Sequence, residues 1–247
     1  MRDKDISFPF RIKRLYFPLL VICLIFAIPA VSFANIDEAQ VQIDEIKKTL
    51  KQTEKLTKKG NFIESEKILR GLLERFPQNT KVKISLAYVL MKQRKLFESY
   101  KLSFDVCTLE PKNSYAYAVL GMTILNAGNF KEAELALNHS LNINRRESLA
   151  WAGLGFLDFY ENRIFDSLGA MRTAVSLDSD EPDFVFALAQ ISARAEKYKE
   201  SAQAYREFLR ISPRTDTDRR ERIEGLIDFL EYLGSKSYLY EIGGNRQ

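Results

Sequence analysis

The sequence is poor in the residues that most chemistry requires. It holds one histidine, His139, and two cysteines, Cys23 and Cys107. No Cys/His cluster has metal-site spacing, and no glycine-rich phosphate loop occurs. Acidic pairs such as Glu132/Glu134 fall on faces that a helix would turn to solvent. These absences argue against an enzyme, and we expect no catalytic residue, no metal and no cofactor. Glycine and proline are scarce too, eleven and seven in 247 residues, which argues for helices over a turn-rich β architecture. The 46% apolar and 28% charged fractions are those of an ordinary globular chain.

An excess of one charge is also missing. Residues 1–34 hold five Lys/Arg and two Asp, which leaves 32 basic against 31 acidic residues from Asn35 onward. No basic stripe remains to indicate a nucleic-acid partner. The same N-terminal stretch holds the longest uncharged run, Leu15 to Ala34, directly after the basic cluster Arg11-Ile12-Lys13-Arg14. The run ends in Ser32 and Ala34, small residues two apart. This is the order of a secretory signal cleaved after Ala34. A retained anchor is the competing reading, because twenty uncharged residues just suffice to span a bilayer. Lipidation at Cys23 is a minor one, since Ile22 stands where a small residue is needed. In every case the flanking charges place residue 35 onward outside the cytoplasmic membrane, in the periplasm or on its extracytoplasmic face. Membrane contact would come only through residues 15–34, if uncleaved. Cys107 then stands alone, in an apolar helical phase with Val106 and Leu109, and is expected to be buried and inert.

What the chain does have is a repeat. Pro77, Pro111 and Pro213 are spaced by 34 and by three times 34 residues. In that frame five windows follow without insertion: 46–79, 80–113, 114–147, 148–181, and a fifth from 182 whose repeat content ends at Pro213. The turn triplets fall in phase: Gly60-Asn61-Phe62, Arg94-Lys95-Leu96, Gly128-Asn129-Phe130, Asn162-Arg163-Ile164 and Glu196-Lys197-Tyr198. Three residues after each comes a small side chain: Ser65, Ser99, Ala133, Ser167 and Ser201. Each window is expected to form two helices joined by a tight turn, and each hairpin must stack on the next to bury its apolar stripe. Gly or Asn in three turns suits a left-handed residue ending the first helix.

These windows resemble the tetratricopeptide repeat (TPR) family. Trp151, Leu154 and Gly155 match in the fourth window, and Tyr117, Leu120, Gly121, Ile124, Ala133 and Leu137 in the third. Leu86, Ala87, Leu90 and Pro111 match in the second, and Leu188, Ala189, Tyr198 and Pro213 in the fifth. Asp158 and Ser192 depart from the pattern, standing where the family has large apolar residues. The first window is the poorest, with Thr49, Gln52 and Thr53 in place of Trp, Leu and Gly. The resemblance implies an all-α, right-handed α-solenoid of helical hairpins. Ahead of the repeats lie the leader 1–34 and a helical lead-in 35–45. After them come a capping helix 214–234, ended by Gly234, and a tail 235–247.

The resemblance also implies a non-catalytic scaffold that binds a protein or peptide partner in a concave groove, with an envelope assembly or secretion role as the expectation. Carried over residue by residue, the groove positions include Ile84, Tyr88, Tyr115, Met122, Phe156, Phe159, Tyr160 and Phe186, an aromatic, Met-containing set. Trp151 matches a core position, and His139 an outward one. Two alternatives stay open. Tight curvature, or the tail around Tyr238-Leu239-Tyr240, could cover the groove from within. The chain could also be a structural subunit that self-associates through its terminal helices.

Overall fold

The computed structural model describes residues 29–212 and 216–244, with side chains from Gln40 to Ser212 and from Asp216 to Lys236. The basic cluster and apolar centre of the expected leader lie outside the described residues. The chain divides into two units, residues 1–48 and 49–247. In the first unit the described residues are helical throughout, the opening part of α1 (Pro29–Lys58). The expected lead-in 35–45 is therefore not a separate element, because one helix runs through it into the first window. No helix among the described residues is long and apolar enough to cross a membrane.

The second unit is a succession of helical hairpins. After α1 come α2 (Phe62–Arg75), α3 (Thr80–Lys92), α4 (Leu96–Leu109), α5 (Ser114–Asn126) and α6 (Phe130–Ile143). They are followed by α7 (Ser148–Tyr160), α8 (Ile164–Leu177), α9 (Pro182–Arg194), α10 (Tyr198–Ile211) and α11 (Thr217–Gly244). Strands are absent among the described residues. The tightest packing is within the hairpins α3–α4, α5–α6, α7–α8 and α9–α10, and each pair also packs on the next.

One backbone device makes every hairpin. The fifteenth residue of each window is left-handed: Gly60 (φ 76°), Arg94 (62°), Gly128 (87°), Asn162 (61°) and Glu196 (57°). The amide of the next residue donates back five residues to close the first helix, as in Lys95 to the Leu90 carbonyl (2.9 Å) and Arg163 to the Asp158 carbonyl (2.8 Å). This is the Schellman closure, which satisfies carbonyls that a helix end would otherwise leave bare. Arg94 and Glu196 adopt it although an L side chain resists a positive φ. The sequence reading assigns the left-handed geometry only where Gly or Asn stands, and the structure extends it to all five.

A second device holds the paired helices together. Ser65, Ser99, Ser167 and Ser201 each donate across the hairpin to the carbonyl twelve residues earlier. The acceptors are Thr53 (3.2 Å), Ala87 (2.8 Å), Gly155 (2.7 Å) and Ala189 (2.7 Å). Sequence reasoning valued these serines for size alone, and the hydroxyl adds a buried hydrogen bond. In the third window Ala133 cannot do this, and glycine gives close packing instead. The fully buried Leu137 of α6 sits against both Gly121 of α5 and Gly153 of α7, where a Cβ would lie 2.7 Å and 2.5 Å from its side-chain carbons.

Trp151 is half-buried against the core and donates its indole N–H to the Arg145 carbonyl (2.8 Å). Cys107 is buried, and burial pushes its thiol up to about 12, so it holds no thiolate at neutral pH. Ser192, which stands in an apolar position, is the one buried side chain among the described residues whose polar atom has no partner.

The C-terminal helix differs from its expected form. α11 does not end at Gly234 but runs on to Gly244. Gly234 is a packing residue: a Cβ there would lie 3.1 Å from Lys199 Cγ and 3.6 Å from Tyr198 Cβ on α10. Ile223, Ile227 and Leu230 are buried on the same side of α11.

Candidate functional site

The site is built from the first helices of the second to fifth windows, α3, α5, α7 and α9. Their shared face carries a half-open pocket with a cavity volume of about 290 Å³. Its apolar wall includes Met91, Met122, Leu149, Phe156, Phe184 and Phe186, and polar groups at its edge include Lys92, Arg94, Asn126, Asp183 and Gln190. Helical spacing explains the composition. Met91 and Met122 each sit within a turn or so of the end of their helix, and Phe156 and Phe186 repeat on the same side of α7 and α9.

The eight residues carried over from the repeat pattern separate into four groups. Met122, Phe156 and Phe186 line the cavity. Ile84 is buried in the core and offers no surface, so it is not a groove residue. Tyr88 and Tyr115 pack on each other, ring centroids 6.2 Å apart. Burial, followed by nearby carboxylates including Glu181, raises both phenols well above their ordinary range. Both are half-buried, and the Lys92 ammonium at the cavity's edge lies 5.3 Å from the centre of the Tyr88 ring. Phe159 and Tyr160 lie outside it. Tyr160 is exposed and stacks on Phe130 at 5.7 Å, with Phe159 edge-on at 6.4 Å. Three of the eight residues expected in the groove thus stand in the wall of a half-open pocket on this face.

The closure has a visible cause. Lys92, in the last turn of α3, forms ion pairs with Asp183 in the first turn of α9 and with Glu181 (3.4 Å) just before it. A cation at a helix C-terminus and carboxylates at a helix N-terminus also suit the two helix dipoles. Lys58, at the end of α1, pairs with Asp178 at 3.6 Å. These bridges join residues 89, 91 and 120 positions apart. Tyr88 and Tyr115, where covering by curvature would act, are half-buried. Covering by Tyr238-Leu239-Tyr240 concerns side chains outside the described residues.

Electrostatics at the closure follow from burial. Burial works against the Lys92 ammonium, but Asp183 and Glu181 more than offset it, and the group is held charged above its ordinary range. Glu181 is raised by burial, which Lys92 only partly counters. Glu147 is raised by burial too, against a hydrogen bond from the Ser114 hydroxyl (3.0 Å). Sequence reasoning passed over both glutamates. A signal existed: windows one and two close on Asn79 and Asn113, which cap the next helix by accepting from Val82 (3.1 Å) and Ala116 (3.0 Å). Windows three and four carry glutamate there, with no side-chain cap.

A second polar centre joins the first two windows. The Glu66 carboxylate accepts from Arg70 (2.8 Å), Gln93 (2.7 Å) and Lys95 (2.7 Å). Burial would raise it, but these hydrogen bonds win and hold it at about 2. Arg70 reaches on to Glu98 at 2.6 Å. His139 is exposed, with its ring 4.2 Å from that of Tyr117. Among the described residues no group of three or more His, Cys, Asp or Glu could hold a metal ion. The arrangement can seat an apolar side chain and fix its neighbours by hydrogen bonds.

No family model and no curated protein matches the sequence. Solved structures do match. TTC0263, described as a thermophilic TPR protein in Thermus thermophilus, superposes with a TM-score of 0.61 at 18% identity, over 73% of this chain and 98% of that one. The fold is that of a tetratricopeptide-repeat array. Within the Cut9–Hcn1 hetero-tetramer of the APC/C, a chain matches the array with a TM-score of 0.58 at 16% identity, over 72% of this chain and 34% of that one. At such identities the likeness establishes the repeat architecture, and the site must be argued from its own residues.

Proposed function

We propose that the repeat array is a non-catalytic protein-interaction scaffold whose inner pocket seats an apolar anchor side chain of a partner protein or peptide. The observation that carries this is the cavity of about 290 Å³ walled by Met122, Phe156 and Phe186 and edged by Arg94, Asn126 and Gln190. Aromatic and methionine side chains around a few hydrogen-bonding groups are typical of an anchor pocket. A wall built from helices is largely preformed, so binding imposes little ordering cost on the scaffold. The basic cluster Arg11–Arg14 ahead of the uncharged run Leu15–Ala34 supports an exported chain acting in the cell envelope, in assembly or secretion.

The test is a photo-crosslinking residue at the exposed Gln190, used in envelope extract with and without Phe156→Ala. We expect a discrete crosslinked partner that Phe156→Ala abolishes, with helicity unchanged by circular dichroism. Equal crosslinking from both proteins would count against the pocket. A second reading, a structural subunit that self-associates through its terminal helices, is favoured by one observation. Leu226, Phe229 and Tyr232 are exposed on α11.

A further inference from the structure

α11 has two dissimilar faces. One carries the buried Ile223, Ile227, Leu230 and Gly234. On the opposite side, Asp218, Arg222, Gly225, Phe229, Tyr232 and Lys236 recur at alternating spacings of four and three, and all are exposed. That spacing is the seam of a helix pair. Space above Gly225 is open, with no atom within 4 Å of a Cβ placed there. Neither Asp218 nor Arg222 has an ion-pair partner among the described residues, and Lys236 meets only the Tyr232 ring, at 5.6 Å. On the flank, Glu231 pairs with Arg206 (2.5 Å) and Glu224 with Arg220 (3.6 Å) within the chain.

We infer that this face pairs with the same face of a second copy, the two α11 helices running antiparallel about a two-fold axis at residue 227. The proposal rests on the self-association reading and supplies its register. With the axis there, Asp218 opposes Lys236 of the other copy, Arg222 opposes Tyr232, and Phe229 lies over the open surface of Gly225. Each contact occurs twice by symmetry, as an isologous interface requires. Opposite charges meet at both ends, a cation faces an aromatic ring next to them, and a large side chain fills the gap a glycine leaves. Leu226 flanks this centre and loses its exposure on pairing. The seam spans 19 residues, roughly 28 Å of helix at 1.5 Å per residue, which suits a weak, concentration-dependent dimer.

Sedimentation velocity on the full chain across a concentration series tests this. The wild type is expected to pass from monomer to dimer. Asp218→Lys and Lys236→Asp alone each break both end pairs and set like charges opposite one another, weakening the dimer about tenfold or more. The two together restore the pairs with reversed sign and recover wild-type dimerisation. A wild type that stays monomeric throughout overturns the inference, as does a double variant no better than the singles. Phe229→Glu should abolish dimerisation and leave crosslinking from Gln190 intact, so this pairing and the pocket fail or stand separately.

Discussion

The inner and outer faces of the array both carry ion pairs, and they use them differently. Inside, Lys92 meets Glu181 and Asp183 across three windows, with the Lys92 and Glu181 side chains only 15% and 11% exposed. Outside, the pairs step from one repeat to the next: Arg70 to Glu98 (2.6 Å), Arg172 to Glu200 (2.5 Å) and Arg206 to Glu231 on α11 (2.5 Å). In all three the cation is the twenty-fifth residue of its window. The second and third windows carry Phe104 and Asn138 there, so the outer series is interrupted at its centre. Exposed pairs between neighbours contribute little, because water competes and long side chains must be held in place. Such contacts can come and go without altering the fold. The inner bridge sets how tightly the first helices close, and its loss leaves a carboxylate behind in a poorly solvated place.

That contrast can be broken at several depths. Lys92→Met should have the largest effect, about 3 kcal/mol or more of destabilisation, as expected when one partner of a buried pair is removed. Adding Glu181→Gln should recover much of the loss in urea unfolding, and a double-mutant cycle would measure the coupling. If Lys92→Met costs no more than an exposed pair does, the closure is not what holds the inner face.

Glu66 should rank next, because its carboxylate is buried but reached by three donors. Glu66→Gln is expected to cost about 1–3 kcal/mol at neutral pH. The sign with pH is set by its low native value. Between about 4.5, where the free carboxyl titrates, and about 2, where the native one does, the unfolded chain binds the extra proton. The stability that Glu66 supplies is therefore complete above that window and lost as pH falls through it. Thermal melts of the two proteins at stepped pH should converge towards the acid end, and a constant gap would refute the assignment. Arg172→Ala, on the outer series, should fall below about 1 kcal/mol and shrink further in high salt.

The repeat was legible because it is periodic. Five in-phase turns and five small residues demand the same hairpin, and no distant contact is needed to read them. The turns at Gly60, Gly128 and Asn162 could be assigned from residue type. Those at Arg94 and Glu196 could not, since their left-handed backbone is imposed by the Schellman hydrogen bonds and by packing of the next helix. Serine at the twentieth position reads as small, and its hydroxyl's acceptor appears only when the first helix lies alongside. The site was less legible still. Position rules pick out residues that point inward, which is true of Ile84, Tyr88 and Met122 alike. They do not say how far neighbouring helices close over them. Nor do they foretell that the exposed Tyr160 stacks on Phe130.

By itself the sequence determined that this chain is an array of helical hairpins and where each turn falls. Those properties are local, written in spacing and side-chain size within 34 residues. The tertiary structure alone decided that Met122, Phe156 and Phe186 share one pocket on the inner face, that Glu66 and Glu181 become buried, and that α11 continues past Gly234. The pocket and the Glu181 site depend on residues far apart in the chain, such as Lys92 and Asp183, coming within reach. Contacts of that kind join separate windows, and no single window encodes them.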